Sequence, residues 1–92
     1  MKIKVEYTAQ MKVAAGVASE DLDVEASCSI KELLKIAADK HGEKLYELIF
    51  DSNSAVRPSI LIALNDEQVY MDKPVTLKEN DHVALLSPMA GG

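Results

Sequence analysis

Two short segments limit the possible folds more than any other feature of this chain. Residues 59–64 (SILIAL) and 82–87 (HVALLS) are apolar in both phases of a strand. A strand with one wet face alternates, so segments like these belong inside a sheet or under cover on both sides. Residues 2–9 differ: Ile3, Val5 and Tyr7 fall on one face, Lys2, Lys4, Glu6 and Thr8 on the other, the pattern of a half-buried strand. Residues 10–21 contain Gly16 and read as a loop or a short helical turn. Leu22, Val24 and Ala26 then recur at period two, so a second strand is expected over 22–26, antiparallel to the first.

One segment has clear helical spacing. Ser29 stands three residues before Glu32, the arrangement of a capping box. Ile30, Leu33, Leu34 and Ala37 form an apolar stripe, with Lys31, Glu32, Lys35, Asp39 and Lys40 around it, and Gly42 is placed to end the helix. Leu45, Leu48, Ile49 and Phe50 suggest a further short helical turn with its apolar side inward. Residues 51–58 form a polar loop in which Arg57, preceding Pro58, is extended. Asn65-Asp66 is a serviceable two-residue turn from the strand at 59–64 into a short one at 67–70. A turn-rich connection over 73–81 leads to the last strand, which Pro88 ends.

The expected order is strand, strand, helix, then two or three strands, giving an α+β mixed sheet of four to five strands. The first and last strands lie side by side in parallel, with one main helix across one face. A helix of about 11 residues covers only one face of such a sheet. The other face shows Ile60, Ile62 and Leu64, or else Leu61 and Ala63, together with Ala84 and Leu86 or their neighbours; the sequence leaves the phase open. An exposed apolar patch of this kind marks a binding surface, unless loop residues such as Leu48 and Phe50 fold over it.

Ninety-two residues with 48% apolar content suffice for one core and leave no room for a second. The expected division is a single domain over residues 1–88 and a flexible tail over 89–92. The net charge of −5 argues against nucleic acid, which requires a basic stripe, and suits a basic partner surface. No apolar run approaches the ~18 residues of a membrane span. A single cysteine provides no disulfide framework, so the cytosol is the expected compartment. Cys28, between two serines and just before the helix, reads as a small semi-buried residue rather than a reactive thiol.

The chain carries no catalytic constellation of its own. His41 and His82 are far apart in sequence, no Cys/His set has metal-ligand spacing, and no glycine-rich loop follows a strand to cradle phosphate. What remains is the end, Pro88-Met89-Ala90-Gly91-Gly92. Its last two residues lack a Cβ and can thread a narrow channel. A free carboxylate is a poor acyl donor, so chemistry at Gly92 needs an outside enzyme to convert it to a mixed anhydride with AMP. A sulfur nucleophile then gives a thiocarboxylate or thioester, and an amine gives an amide. The extended tail suits capture in a groove by backbone hydrogen bonds, and Pro88 aims it away from the sheet.

The stretch Asn80-Asp81-His82-Val83-Ala84-Leu85-Leu86-Ser87-Pro88-Met89-Ala90-Gly91-Gly92 resembles the ending of the MoaD/ThiS sulfur carriers, closest to the small subunit of molybdopterin synthase. Ile3-Lys4-Val5, Ala9-Gln10, Gly16 and Leu64-Asn65 are similar to that family as well. Leu85, Leu86 and Ser87 stand where the family usually carries two phenylalanines and a proline. Glu6 and Thr8 replace residues that are commonly apolar or aromatic, and Lys12 a common arginine. The resemblance implies a ubiquitin-like β-grasp fold and a carrier with no bound cofactor. Gly92 would be adenylated by an E1-like adenylyltransferase using ATP, then converted to a thiocarboxylate that supplies sulfur for molybdopterin. The large subunit of molybdopterin synthase would be the second partner, in a hetero-oligomer. Met89, Ala90 and Gly91 would enter the partner's active site behind Pro88, and Leu86 would lie on the contact surface. Sulfur carriage for thiamine, tRNA thiolation or sulfur amino acids, and conjugation to target lysines as a ubiquitin-like modifier, are the alternatives.

Overall fold

The computed structural model describes residues 1–72 and 75–86. Five strands and three helices follow in the order β1 (Lys2–Tyr7), α1 (Ala9–Ala15), β2 (Ser19–Asp23), α2 (Ile30–His41), α3 (Glu43–Ile49), β3 (Leu61–Leu64), β4 (Glu67–Val69) and β5 (His82–Leu86). The strands form one sheet in the order β2-β1-β5-β3-β4. β1 and β5 are parallel, pairing Lys4 with His82 through Tyr7 with Leu85. The other neighbours are antiparallel. The last strand in sequence is therefore the middle strand in space, hence its apolar character in both phases.

The sheet presents Ile3, Val5 and Tyr7 from β1, Ile62 from β3, and Val83 and Leu85 from β5 to the helices, all 2% exposed or less. Leu33, Leu34 and Ala37 of α2 and Leu45 and Ile49 of α3 close over them without measurable exposure. The capping box forms as the sequence implies: Ser29 Oγ accepts from the Glu32 amide while Glu32 Oε1 accepts from the Ser29 amide, both at 3.1 Å. Gly42 ends α2 at φ +107°, a value a side chain resists. Asn65 and Asp66 adopt φ of +51° and +71°, the paired left-handed geometry of a type I′ turn.

Two expectations need correction. The segment after β1 is a seven-residue helix, α1, rather than a loop or a single turn. The second strand is Ser19–Asp23, not 22–26: Leu22 pairs with Ile3, and Ala26 lies in a turn. Ser19, Glu20, Asp21 and Asp23 are polar and hide the strand from an apolar alternation, yet a sheet-edge strand accommodates polar residues and discourages association with other chains. Helices α1 and α3 join α2 on the same face, so the helical layer is broader than one main helix. Smaller differences are that β1 stops at Tyr7, that β3 begins at Leu61, and that β4 ends at Val69. Ser87, with which the last strand was expected to end, lies outside the described residues. No helix among the described residues is long and apolar enough to cross a membrane.

Candidate functional site

The phase left open by the sequence is now fixed. Ile62, Val83 and Leu85 face the helices, so Leu61, Ala63, Ala84 and Leu86 face the other way. Leu61 lies opposite Leu86 and Ala63 opposite Ala84, which makes a contiguous apolar patch across β3 and β5. Leu86 is 37% exposed. Leu48 and Phe50 do not cover this patch, since both pack with the helical layer on the opposite side. Tyr70 was not singled out from the sequence, and it extends the patch. The β3–β4 pairing sets Ile62 opposite Val69, so its continuation brings Tyr70, 62% exposed, beside Leu61. An aromatic residue just past a short strand was the signal available for it.

The same face changes character toward β1 and β2. Lys4 faces Asp21, Lys2 faces Asp23, and Glu6 Oε1 lies 2.9 Å from His82 Nε2. One half of the open sheet is thus apolar, and the other half carries charged residues of both signs. Of the predicted site residues, only Leu86 is described. Pro88, Met89, Ala90, Gly91 and Gly92 lie outside the described residues, as does the boundary at residue 88.

At the far end of β5, Asn65 joins the hairpin turn to the strand. Its amide donates to His82 O at 2.8 Å, its Oδ1 accepts from the His82 amide at 2.9 Å, and its Nδ2 donates to Asp81 Oδ1 at 2.9 Å. On the helix side, Glu20 at the sheet edge gathers three donors. Its Oε2 accepts from Tyr7 Oη at 2.6 Å and from His41 Nε2 at 2.5 Å, and its Oε1 accepts from Lys40 Nζ at 2.7 Å. Burial pushes the Glu20 carboxyl up, but these hydrogen bonds outweigh it and hold the pKa at about 2. The Tyr7 hydroxyl is raised above its ordinary value, by burial first and then by the Glu20 carboxylate.

Cys28 is buried and its Sγ donates to Ser29 O at 3.3 Å. Burial pushes the thiol up, and Glu32 and Glu25 add to the shift, so the nucleophilic thiolate is disfavoured. Among the described residues no group of three or more His, Cys, Asp or Glu side chains is arranged to hold a metal ion. His41 and His82 lie on opposite faces of the sheet, each against a different glutamate. The most distinctive surface among the described residues is the apolar patch of Leu61, Ala63, Ala84 and Leu86.

A mixed sheet with parallel β1 and β5 at its centre, helices on one face and an apolar patch on the other defines a ubiquitin-like β-grasp protein, as the resemblance implied. The chain belongs to the ThiS family, whose model matches residues 5–92. It is 28% identical over 92 residues to a molybdopterin synthase sulfur carrier subunit of Chlamydomonas reinhardtii, with all of both chains covered. The solution structure of small archaeal modifier protein 1 from Methanosarcina acetivorans superposes with a TM-score of 0.80 at 27% identity, covering 99% of this chain and 96% of that one. A complex of subunits 1 and 2 of the molybdopterin-converting factor from Helicobacter pylori contains a chain matched with a TM-score of 0.61 at 26% identity, with both chains fully covered.

Proposed function

We propose that this protein is a sulfur carrier of molybdopterin biosynthesis, working as the small subunit of molybdopterin synthase. The observation that carries this reading is the end-to-end match to the algal sulfur carrier subunit, through the segment that holds the diglycine. In the proposed cycle a Gly92 carboxylate oxygen attacks the α-phosphorus of ATP on an E1-like enzyme, and pyrophosphate leaves. A sulfur nucleophile then attacks the acyl carbon, AMP departs, and the released product is a thiocarboxylate. The patch of Leu61, Ala63, Ala84 and Leu86 holds the carrier on its partners, while residues 88–92 reach into their active sites. The large subunit of the synthase is the acceptor partner. ATP is consumed by the activating enzyme, and the carrier itself binds no cofactor.

The test is intact mass spectrometry after incubation with ATP, a sulfide source and an E1-like enzyme. A gain of roughly 16 Da at Gly92, one oxygen replaced by sulfur, is the expected result. An unchanged mass, with the same enzyme competent on a control carrier, would overturn the pairing. The likeness to an archaeal modifier protein favours a second reading, in which Gly92 is joined to lysines of targets. Isopeptide adducts in place of a thiocarboxylate would establish that one instead.

A further inference from the structure

We infer that Thr8 is a positioning residue whose hydroxyl fixes the peptide plane from which the C-terminal segment departs. Thr8 is the N-cap of α1, with extended φ and ψ of −130° and 158°. A threonine there ordinarily turns its hydroxyl oxygen to the free amides of the first helical turn. This one makes no side-chain cap bond; its Oγ1 instead donates to the carbonyl of Leu85 at 2.9 Å. The helix thus forgoes a cap, and the bond goes to the opposite element, β5.

The place where it arrives is specific. The β1–β5 ladder ends with the pair Tyr7–Leu85, and the Leu85 carbonyl belongs to the peptide unit joining Leu85 to Leu86. Holding that oxygen adds an anchor on the β1 side to a link that β3 holds on the other side through the pairing of Leu86 with Leu61. Thr8 is itself held on both sides. Tyr7 before it is tied to Glu20, and Ala9 after it sits at φ +51°, a left-handed value costly for a residue with a Cβ. The turn out of β1 is therefore strained at the residue directly after Thr8. A hydroxyl diverted from its usual role and a strained neighbour are independent observations, and both converge on the root of the tail. For a chain that must thread its end into another active site, fixing that root lowers the ordering cost of docking. This consequence for docking rests on the carrier reading.

Thr8→Val keeps the shape and removes the hydroxyl; Thr8→Ser restores it. In the full chain, Thr8→Val should move the carbonyl carbon resonance of Leu85 and speed exchange of the Leu86 amide about fivefold, the change expected for one ordinary hydrogen bond. Thr8→Ser should match the native protein in both. With an E1-like enzyme that adenylates the native chain, Thr8→Val should raise KM about fivefold at unchanged kcat, and serine should rescue it. Native-like exchange and resonance in Thr8→Val would overturn the inference, as would an unchanged KM with an enzyme active on the native protein. A parallel fall in melting temperature that serine fails to rescue would reduce Thr8 to a structural role and overturn it too. If an enzyme competent on a control carrier does not adenylate the native chain, that pairing fails, and the exchange measurement still decides the role of Thr8. Thr8→Ala, which relieves any crowding from valine, repeats the exchange measurement if Thr8→Val does not fold.

Discussion

Glu20 shows how one side chain comes to matter through its position. It lies on the helix-facing phase of an edge strand, where an unpaired carboxylate would be costly, and three donors from β1 and the end of α2 satisfy it. Its pKa is 4.5 unperturbed and about 2 in the folded protein. A depressed carboxyl stabilises the fold fully above the unfolded value, and this contribution is lost as pH falls from about 4.5 through 2. Urea titrations over that window should show falling stability in the native protein and a flatter profile in Glu20→Gln. At neutral pH the substitution should cost about 1–3 kcal/mol, the range for hydrogen bonds to a charged group. Ala9 gives a prediction of the opposite sign. Glycine tolerates φ +51°, so Ala9→Gly should be neutral or stabilising by up to about 1 kcal/mol in the same assay, whereas alanine to glycine within a helix ordinarily destabilises. None of this was legible in the sequence. Glu20 and Tyr7 are 13 residues apart and meet only because β1 and β2 pair in the register they do.

Elements were read best where one local pattern was sufficient. The α2 helix has its stripe, its capping box and its terminal glycine, and each is present as the residues implied. Ser29→Ala should therefore cost about 1 kcal/mol of stability in thermal or urea unfolding. Leu33→Ala, at a position with no exposure, should cost about 2–5 kcal/mol. Strands β1, β3 and β5 were legible from local patterns too, β1 from its alternation and β3 and β5 from apolar runs, and the Asn65-Asp66 turn announced the β3–β4 hairpin. The α1 helix and β2 were not. α1 buries only Met11 and Ala15 and leaves Val13 exposed, so its apolar spacing does not follow a single stripe. β2 contributes only Leu22 to the core, because edge pairing and the Glu20 contacts stand in for an apolar face. Local patterns report burial, and these two elements are held mostly by what lies beside them.

At the scale of the molecule, the sheet has one face committed to the helices and one available. The available face joins the apolar patch around Leu61 and Leu86 to the charged residues of β1 and β2. Leu86→Asp puts a charge in the middle of the patch without touching the core. It should leave the melting temperature nearly unchanged and weaken binding to an activating enzyme tenfold or more, measured by titration calorimetry. Deleting Gly92 should abolish adenylation while preserving that affinity to within a few-fold, which separates docking from chemistry. The candidate site was half legible in advance. The existence of the patch followed from strands apolar in both phases, and the family resemblance pointed to Leu86, but which residues form the patch depended on a one-residue choice of phase that only the packed helices make.

The placement of β5 has a consequence in time. Until residues 82–86 exist, β1 and β3 have no strand between them, and a growing or truncated chain presents two unpaired apolar edges. Such a chain is prone to aggregation and to capture by chaperones. The sheet closes only once β5 is present, and the step that closes it also docks Leu85 against Thr8. A copy that lacks β5 has neither a completed sheet nor the Thr8–Leu85 contact, so one strand makes both available at the same moment.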